Sequence, residues 1–356
     1  GFLALCSQNS PDVEIIDGTD NFNTVLYTGN DSTNNITGVG FSPDWVWLKQ
    51  RNAAENHFLT DSVRGAGLHL RSDATTAESD TSATFTTFGA DGFSLTGSGS
   101  AAPQINDDGD TYVGWNWLAG TAFSNDASAT GVGTIDSSGQ VNATAGFSII
   151  KYVGNNATGA TVAHGLGSAP EMIIIKDRDT GSYNWHVFHA SLGATKELKL
   201  NTTAAVVTQA FWNNTAPTSS VFTVNGGGWE VNTNNKNHIA YCFHSVEGYL
   251  KAGSYVGNGN ADGTFVYTGF RPAWIMQKKS NNTGHWHMWD STRNTSNEVT
   301  RYLSADDSSA EATDGGLDIL SNGFKPRKTG SGLNASGDTY IYLAFASQPF
   351  KFSNAF

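Results

Sequence analysis

The sequence predicts an all-β chain of three tandem β-sandwich units, lectin-like or jelly-roll-like in general plan. Three observations predict it. Four landmarks recur in one order three times along the 356 residues. The last landmark alternates apolar and mixed residues with the period of a strand. Helical periodicity is nearly absent, and only Ala190 to Leu200 and the turn after Asp61 suggest short helices. A single core seldom grows beyond about 250–300 residues, so a chain of this length favours several units.

The first landmark is a Tyr-x-Gly-Asn turn at Tyr27-Thr28-Gly29-Asn30, Tyr152-Val153-Gly154-Asn155 and Tyr255-Val256-Gly257-Asn258. The second is a Pro-led apolar strand ending in Lys: Pro43 to Lys49, Pro170 to Lys176 and Pro272 to Lys278. It is apolar on both faces, as a strand covered on both sides must be, and Pro suits its first position because no ladder donor is lost there. The third is Gly before an aromatic, at Gly92-Phe93, Gly228-Trp229 and Gly323-Phe324. The fourth is a closing strand, Tyr112 to Trp117, His238 to Phe243 and Tyr340 to Phe345. One of its faces carries Val113, Trp115 and Trp117, then Ile239, Tyr241 and Phe243, then Ile341, Leu343 and Phe345. That face is apolar in every copy and is the expected core face. The opposite face is mixed, and in the third copy it presents Tyr340 and Tyr342 as an expected exposed contact surface.

The expected organisation is an N-terminal extension at 1–21 and repeats at 22–119, 147–245 and 253–356, the last including a C-terminal tail. A Ser/Thr/Gly-rich stretch at 120–146 reads as a flexible linker. A short connector at 246–252 implies tight packing of the second and third repeats, with the first attached more loosely.

Composition excludes several classes. Aromatics reach 12%, with 10 Trp and 20 Phe, so the chain is not disordered. Charged residues are 15%, against a usual value of about 25%. The net charge of −12 and the lack of a Lys/Arg cluster argue against nucleic acid and against anionic membranes. No apolar run is long enough to span a bilayer. The apolar leader from Gly1 to Cys6 is too short for a signal peptide, and the first residue is not Met, so the chain is expected to begin inside a longer or processed product. Cys6 and Cys242 are expected to be buried small hydrophobes with no disulfide framework.

The search for chemistry yields weak candidates. There is no nucleophile elbow and no phosphate loop. Asn258, Asn260 and Asp262, at alternate positions before Gly263, resemble the start of a calcium loop, but position 269 is Gly where the distal Glu belongs. Turn chemistry is the plainer explanation, as it is for Asn106-Asp107-Asp108-Gly109-Asp110, so no cofactor is expected, with calcium as the alternative. His285 and His287 share a strand face at metal-compatible spacing without a nameable third ligand. Asp61 with Arg64 and Asp290 with Arg293 suggest local capping and pairing. Copy two has His189 and Leu192 instead, which speaks against a catalytic acid and its activator. No carboxylate pair for glycoside hydrolysis stands out. Trp185, Trp212, Trp286 and Trp289 lie outside the landmark strands. Aromatic rings of this kind fill cores or form platforms for sugars. Trp286, Trp289, Tyr340 and Tyr342 are the glycan or partner contacts expected.

Several segments resemble a family of tail-fibre and other virion structural proteins of marine bacteriophages. They are Gly165 to Lys176, Thr215 to Phe222, Ile239 to Phe243, Gly253 to Gly259 with Gly269-Phe270-Arg271-Pro272, and Tyr340 to Ala346 with Pro349-Phe350-Lys351. The resemblance runs over nearly the whole chain. It implies a non-enzymatic virion surface protein, a tail fibre or appendage that contacts a host receptor or glycan and other virion proteins. A capsid or tail decoration protein and a polysaccharide-degrading tailspike enzyme are the alternatives. A homo-oligomer, a trimer first, is expected from the stiffness fibres need and from the avidity of weak repeated contacts.

Overall fold

The computed structural model describes residues 18–97, 104–330 and 332–346. The fold is nearly all β, in antiparallel sheets. One strand order recurs in three large sheets: opening, closing, Pro-led, partner. The opening strands are Phe22–Thr28, Phe147–Val153 and Leu250–Val256. The closing strands are Thr111–Trp117, Asn237–Phe243 and Thr339–Ala346. The Pro-led strands are Trp45–Gln50, Met172–Asp177 and Pro272–Lys279. Their hairpin partners are Phe58–Asp61, Trp185–His189 and Trp286–Asp290.

The registers agree residue for residue. Trp45 stands opposite Trp117, Met172 opposite Phe243 and Trp274 opposite Phe345. Across the hairpin the same three face Asp61, His189 and Asp290. The recurring landmarks therefore occupy equivalent strand positions.

Each large sheet packs one face under a small sheet of two or three strands and turns the other toward the other two large sheets. The inward faces meet in one cluster. Trp45 stacks on Tyr241 at 4.4 Å between ring centres, Phe22 on Phe345 at 5.3 Å, and Trp117 meets Trp274 edge-on at 5.6 Å. The closing strands are thus covered on both faces. Tyr112, Gly114 and Asn116 are buried, and so are Tyr340 and Tyr342, at 0% and 4% exposure. The expected exposed face of Tyr340 and Tyr342 does not exist, because the small sheet lies over it. Nine of the ten tryptophans are at most 2% exposed, which accounts for the aromatic surplus as core filling.

The 120–146 stretch is not a flexible linker. Thr121–Asn125 and Ser137–Asn142 pair with each other, and Ser137–Asn142 extends the second large sheet beside Phe147–Val153. Backbone hydrogen bonds order this segment despite its small, polar side chains. The first repeat is not loosely held either. The Arg178–Glu78 ion pair at 2.7 Å and Arg51–Glu311 at 3.0 Å tie it to both neighbours. The expected helix at Ala190 to Leu200 is absent. Gly193, at a φ of 82°, breaks the turn, and Lys196–Lys199 continues the sheet as a strand. The one α-helix among the described residues is Ala127–Thr130, capped by Asp126 and Gly131.

The seams between repeats form a closed ring. Trp185 donates its indole N–H to the Arg71 carbonyl at 2.8 Å, from the second repeat to the first. Trp286 donates to Lys199 at 2.9 Å, from the third to the second. At the same register the first repeat has His57. Trp47 donates its indole N–H to His57 Nδ1 at 2.8 Å, which leaves the proton on Nε2, 2.9 Å from the Ser304 carbonyl of the third repeat. Burial, aided by the Lys49 charge, lowers the His57 pKa to about 3 and keeps the ring neutral for this task. Three backbone bonds run parallel to these, each 2.8 Å: Glu78 to Arg178, Glu311 to Arg51 and Val206 to Ser280.

A clasp within each repeat explains the Tyr-x-Gly-Asn landmark. The Tyr27, Tyr152 and Tyr255 hydroxyls donate to the carbonyls of Ile105, Val231 and Leu333 at 2.6–2.7 Å. The next residue is Asn106, Asn232 or Asn334, each fully buried, whose Oδ1 accepts the N–H of Asn30, Asn155 or Asn258. A Cβ on Gly29, Gly154 or Gly257 would collide with the carbonyl one residue further on, so the turn requires Gly. The third landmark is reassigned in copy two. Phe93 and Phe324 meet the clasp tyrosine edge-on, and Phe222, not Trp229, does so in the second repeat, at 6.1 Å. Gly92 and Gly323 each close a two-strand turn, and the second repeat lacks that neighbouring strand.

Candidate functional site

The polar groups singled out in the sequence are largely engaged in holding the fold. Asp61 and Arg64 are both fully buried and joined at 2.5 Å. Asp61 also accepts the Tyr241 hydroxyl at 2.8 Å, across to the second repeat. Asp290 and Arg293 repeat the pair, and Asp290 accepts the Trp115 indole N–H at 3.0 Å. Such burial puts these acids and bases out of a substrate's reach. Lys49, Lys176 and Lys278 end the Pro-led strands with the ammonium turned inward to backbone carbonyls. Burial draws the pKa of each down to about 8. Cys242 is buried and free, its thiol pushed up by burial; Cys6 and Pro349-Phe350-Lys351 lie outside the described residues.

The oxygens of the calcium-like loop serve its own turns. Asn258 Oδ1 accepts the Asn260 N–H at 2.9 Å, and Asn260 Oδ1 accepts the Asp262 N–H at 3.0 Å. The Asp262 carboxylate pairs with Lys325 and with Arg327. A cation would have to displace both, so the residues present do not fit one. His285 turns to Asp306 at 2.9 Å, and His287 turns to the Ser304 hydroxyl at 3.2 Å, so the two imidazoles do not converge.

The expected glycan contacts are inside the molecule. Trp286 and Trp289 are each 1% exposed. Trp286 serves the seam. Trp289 faces the small sheet, and its surroundings differ from those of its counterparts. In the first repeat the space between the sheets is filled by rings, with Phe58 stacked on His69 at 4.7 Å and on Phe85 at 6.0 Å. In the second, Phe211 covers His186 at 4.1 Å and Trp212 meets Phe188 at 5.7 Å. In the third, His287 stands at the register of Phe58 and His186, and Trp289 at that of Thr60 and Phe188; with Tyr302 they contact one another at 4.8–6.1 Å. The segments over them carry Gly315, Gly330 and Gly332 in place of a covering ring. A hollow of about 250 Å³ results.

Its wall is chemically mixed. The Trp289 indole N–H, beside Gly315, has no hydrogen-bond partner. The Tyr302 hydroxyl bonds to Asp314; burial first, then that carboxylate, raises its pKa. Burial, then the His285 charge, lowers His287 to about 4, so it is neutral near pH 7. Lys328 and the exposed Asp314 stand at the mouth. A second, wider cleft of about 440 Å³ lies by the added strands of the second repeat, among Asp126, Asp136, Lys151 and Arg178. The most exposed aromatics, Phe265 and Tyr267 at 46% and 64%, lie on the third repeat's small sheet. Sequence patterning passed over them because the strand there, Val266–Tyr267, is two residues long and Phe265 precedes it.

The fold and site define an all-β protein of packed antiparallel sandwiches whose polar interior is structural. The chain belongs to the DUF7483 family, a domain of unknown function, whose model matches residues 17–349. That match spans all three repeats, in keeping with their common core. No curated protein and no solved structure matches the chain.

Proposed function

We propose that the protein is a non-enzymatic structural component of a virion surface, a tail fibre or appendage that contacts the host surface. The supporting observation is that three copies of one sandwich close around a single core in one chain, with Asp61, Arg64, Asp290, Arg293 and the three strand-end lysines all used to fasten backbone and seams. A body of that kind is stiff and offers its outer loops and small sheets for contact. The resemblance of Gly165 to Lys176 and of the closing segments to phage virion proteins supplies the setting. Assembly into a homo-oligomer, a trimer first, belongs to the same reading; Tyr340 and Tyr342 do not provide its contacts, being buried.

Antibody labelling of intact particles by electron microscopy tests the reading. Label on a tail appendage is the expected result. Label confined to the capsid shell shows a decoration protein instead, and absence of the chain from purified particles overturns the proposal. Steady release of reducing ends from host surface polysaccharide would overturn its non-enzymatic part.

A further inference from the structure

We propose that the hollow in the third repeat is a binding site for one neutral pyranose ring, the end unit of a surface glycan. The inference rests on the host-contact reading above and names the ligand class and the residues. It starts from the comparison of equivalent positions. Two repeats fill the space between their sheets with an aromatic ring supplied by the covering segment, Phe85 in one and Phe211 with Trp212 in the other. The third has a floor of His287, Trp289 and Tyr302, with Leu317 at the register of Phe85 and with Gly315, Gly330 and Gly332 lining the space above the floor. A floor without its covering ring is a place shaped for a ring from outside.

Size and chemistry select the occupant. About 250 Å³ is below the roughly 300–1,000 Å³ of sites for drug-sized ligands, so a single small ring fits and an extended chain does not. A pyranose has C–H faces that pack on Trp289 and Tyr302, and hydroxyls around its edge. The wall offers those hydroxyls both kinds of partner. The Lys328 ammonium donates, and the Asp314 carboxylate accepts. Neutral His287, one ring nitrogen facing Ser304, adds a group of either role according to tautomer. One acid and one base at the mouth favour a neutral sugar over a charged one. The Trp289 indole N–H is buried without a protein partner, as are those of Trp45, Trp117 and Trp274 in the packed core, so the hollow and its lining select the ligand and this donor does not.

The test uses the whole chain and four probes: the methyl glycosides of glucose, galactose, mannose and N-acetylglucosamine. Saturation-transfer NMR reports contact, and titration calorimetry reports affinity. At least one glycoside is expected to bind. D314N and Y302A remove an exposed carboxylate and a half-buried ring, and each is expected to weaken binding about tenfold or more. W289F replaces the indole of the floor by a smaller phenyl ring, so it should also weaken binding, through lost stacking area. D126N, in the other cleft, should leave affinity unchanged. Melting curves confirm that each variant is folded. The proposal is overturned if none of the four sugars binds at millimolar concentration, or if binding survives D314N and Y302A undiminished. Failure here with label still on the particle surface removes the sugar site alone. Absence from the particle removes the host-contact reading whatever the sugars do.

Discussion

Replacing the clasp asparagine by Ala, at Asn106, Asn232 and Asn334 in turn, tests the repeat through its own internal replicates. Each side chain is fully buried. Asn334 accepts the Asn258 N–H at 2.9 Å and donates to Asn258 Oδ1 at 2.8 Å and to the Asn260 carbonyl at 2.7 Å. Asn232 makes the same set with Asn155 and Ala157 at 2.9–3.1 Å. Asn106 accepts from Asn30 at 3.3 Å and donates to the Ser32 carbonyl at 2.8 Å. A buried hydrogen bond contributes about 1 kcal/mol net, and a partner left unmatched in the interior costs a further ~1–3 kcal/mol. Three bonds with one orphaned backbone N–H give a loss of about 4–6 kcal/mol at each site. Urea denaturation followed by tryptophan fluorescence measures it, with the slope checked for constancy. The reasoning fails if any one substitution costs less than about 1 kcal/mol, since three equivalent clasps cannot then be doing the same work.

Two further outcomes follow from the seams and the interior. W185F and W286F each remove one bond between repeats and leave a cavity where the larger indole stood, and should cost about 2–4 kcal/mol, with unfolding still a single transition because the large sheets share one core; separate transitions for separate repeats would refute the shared core. Stability should fall as pH drops from about 6.5 toward 4. Burial holds His57 at about 3 and His69, His164, His189 and His287 at about 4, all below the unfolded 6.5. In that window the unfolded chain takes up protons the folded chain refuses, at up to about 1.4 kcal/mol per pH unit for each group. Asp73, raised by burial to about 6, and Asp306, also raised, act in the opposite direction but number two against five. Thermal melts at pH 7, 6 and 5 check this, and a melting temperature that holds or rises on acidification would contradict it.

The sequence by itself determined the strands and their threefold recurrence. Period-two alternation in the closing strand and the Pro-led apolar run are local properties, and the landmarks that carry them fall at matching registers. The buried Asn was missed: an apolar-Asn pair recurs six residues before Tyr112, His238 and Tyr340, but Asn106 read as turn chemistry and only the hydrogen bonds give the position its meaning. Tertiary structure decided which faces are outside. Alternation distinguishes two faces of a strand but not how many layers cover them. Here both faces of the large sheets are covered, so Tyr340, Tyr342, Trp286 and Trp289 went to the interior. Composition suggested a linker at 120–146, whereas the segment is ordered by backbone pairing to the edge strand Phe147–Val153, which small polar side chains do not signal. The hollow beside Trp289 is likewise invisible in the chain, because it arises where covering glycines meet a floor of rings, and that meeting exists only once the sheets are packed.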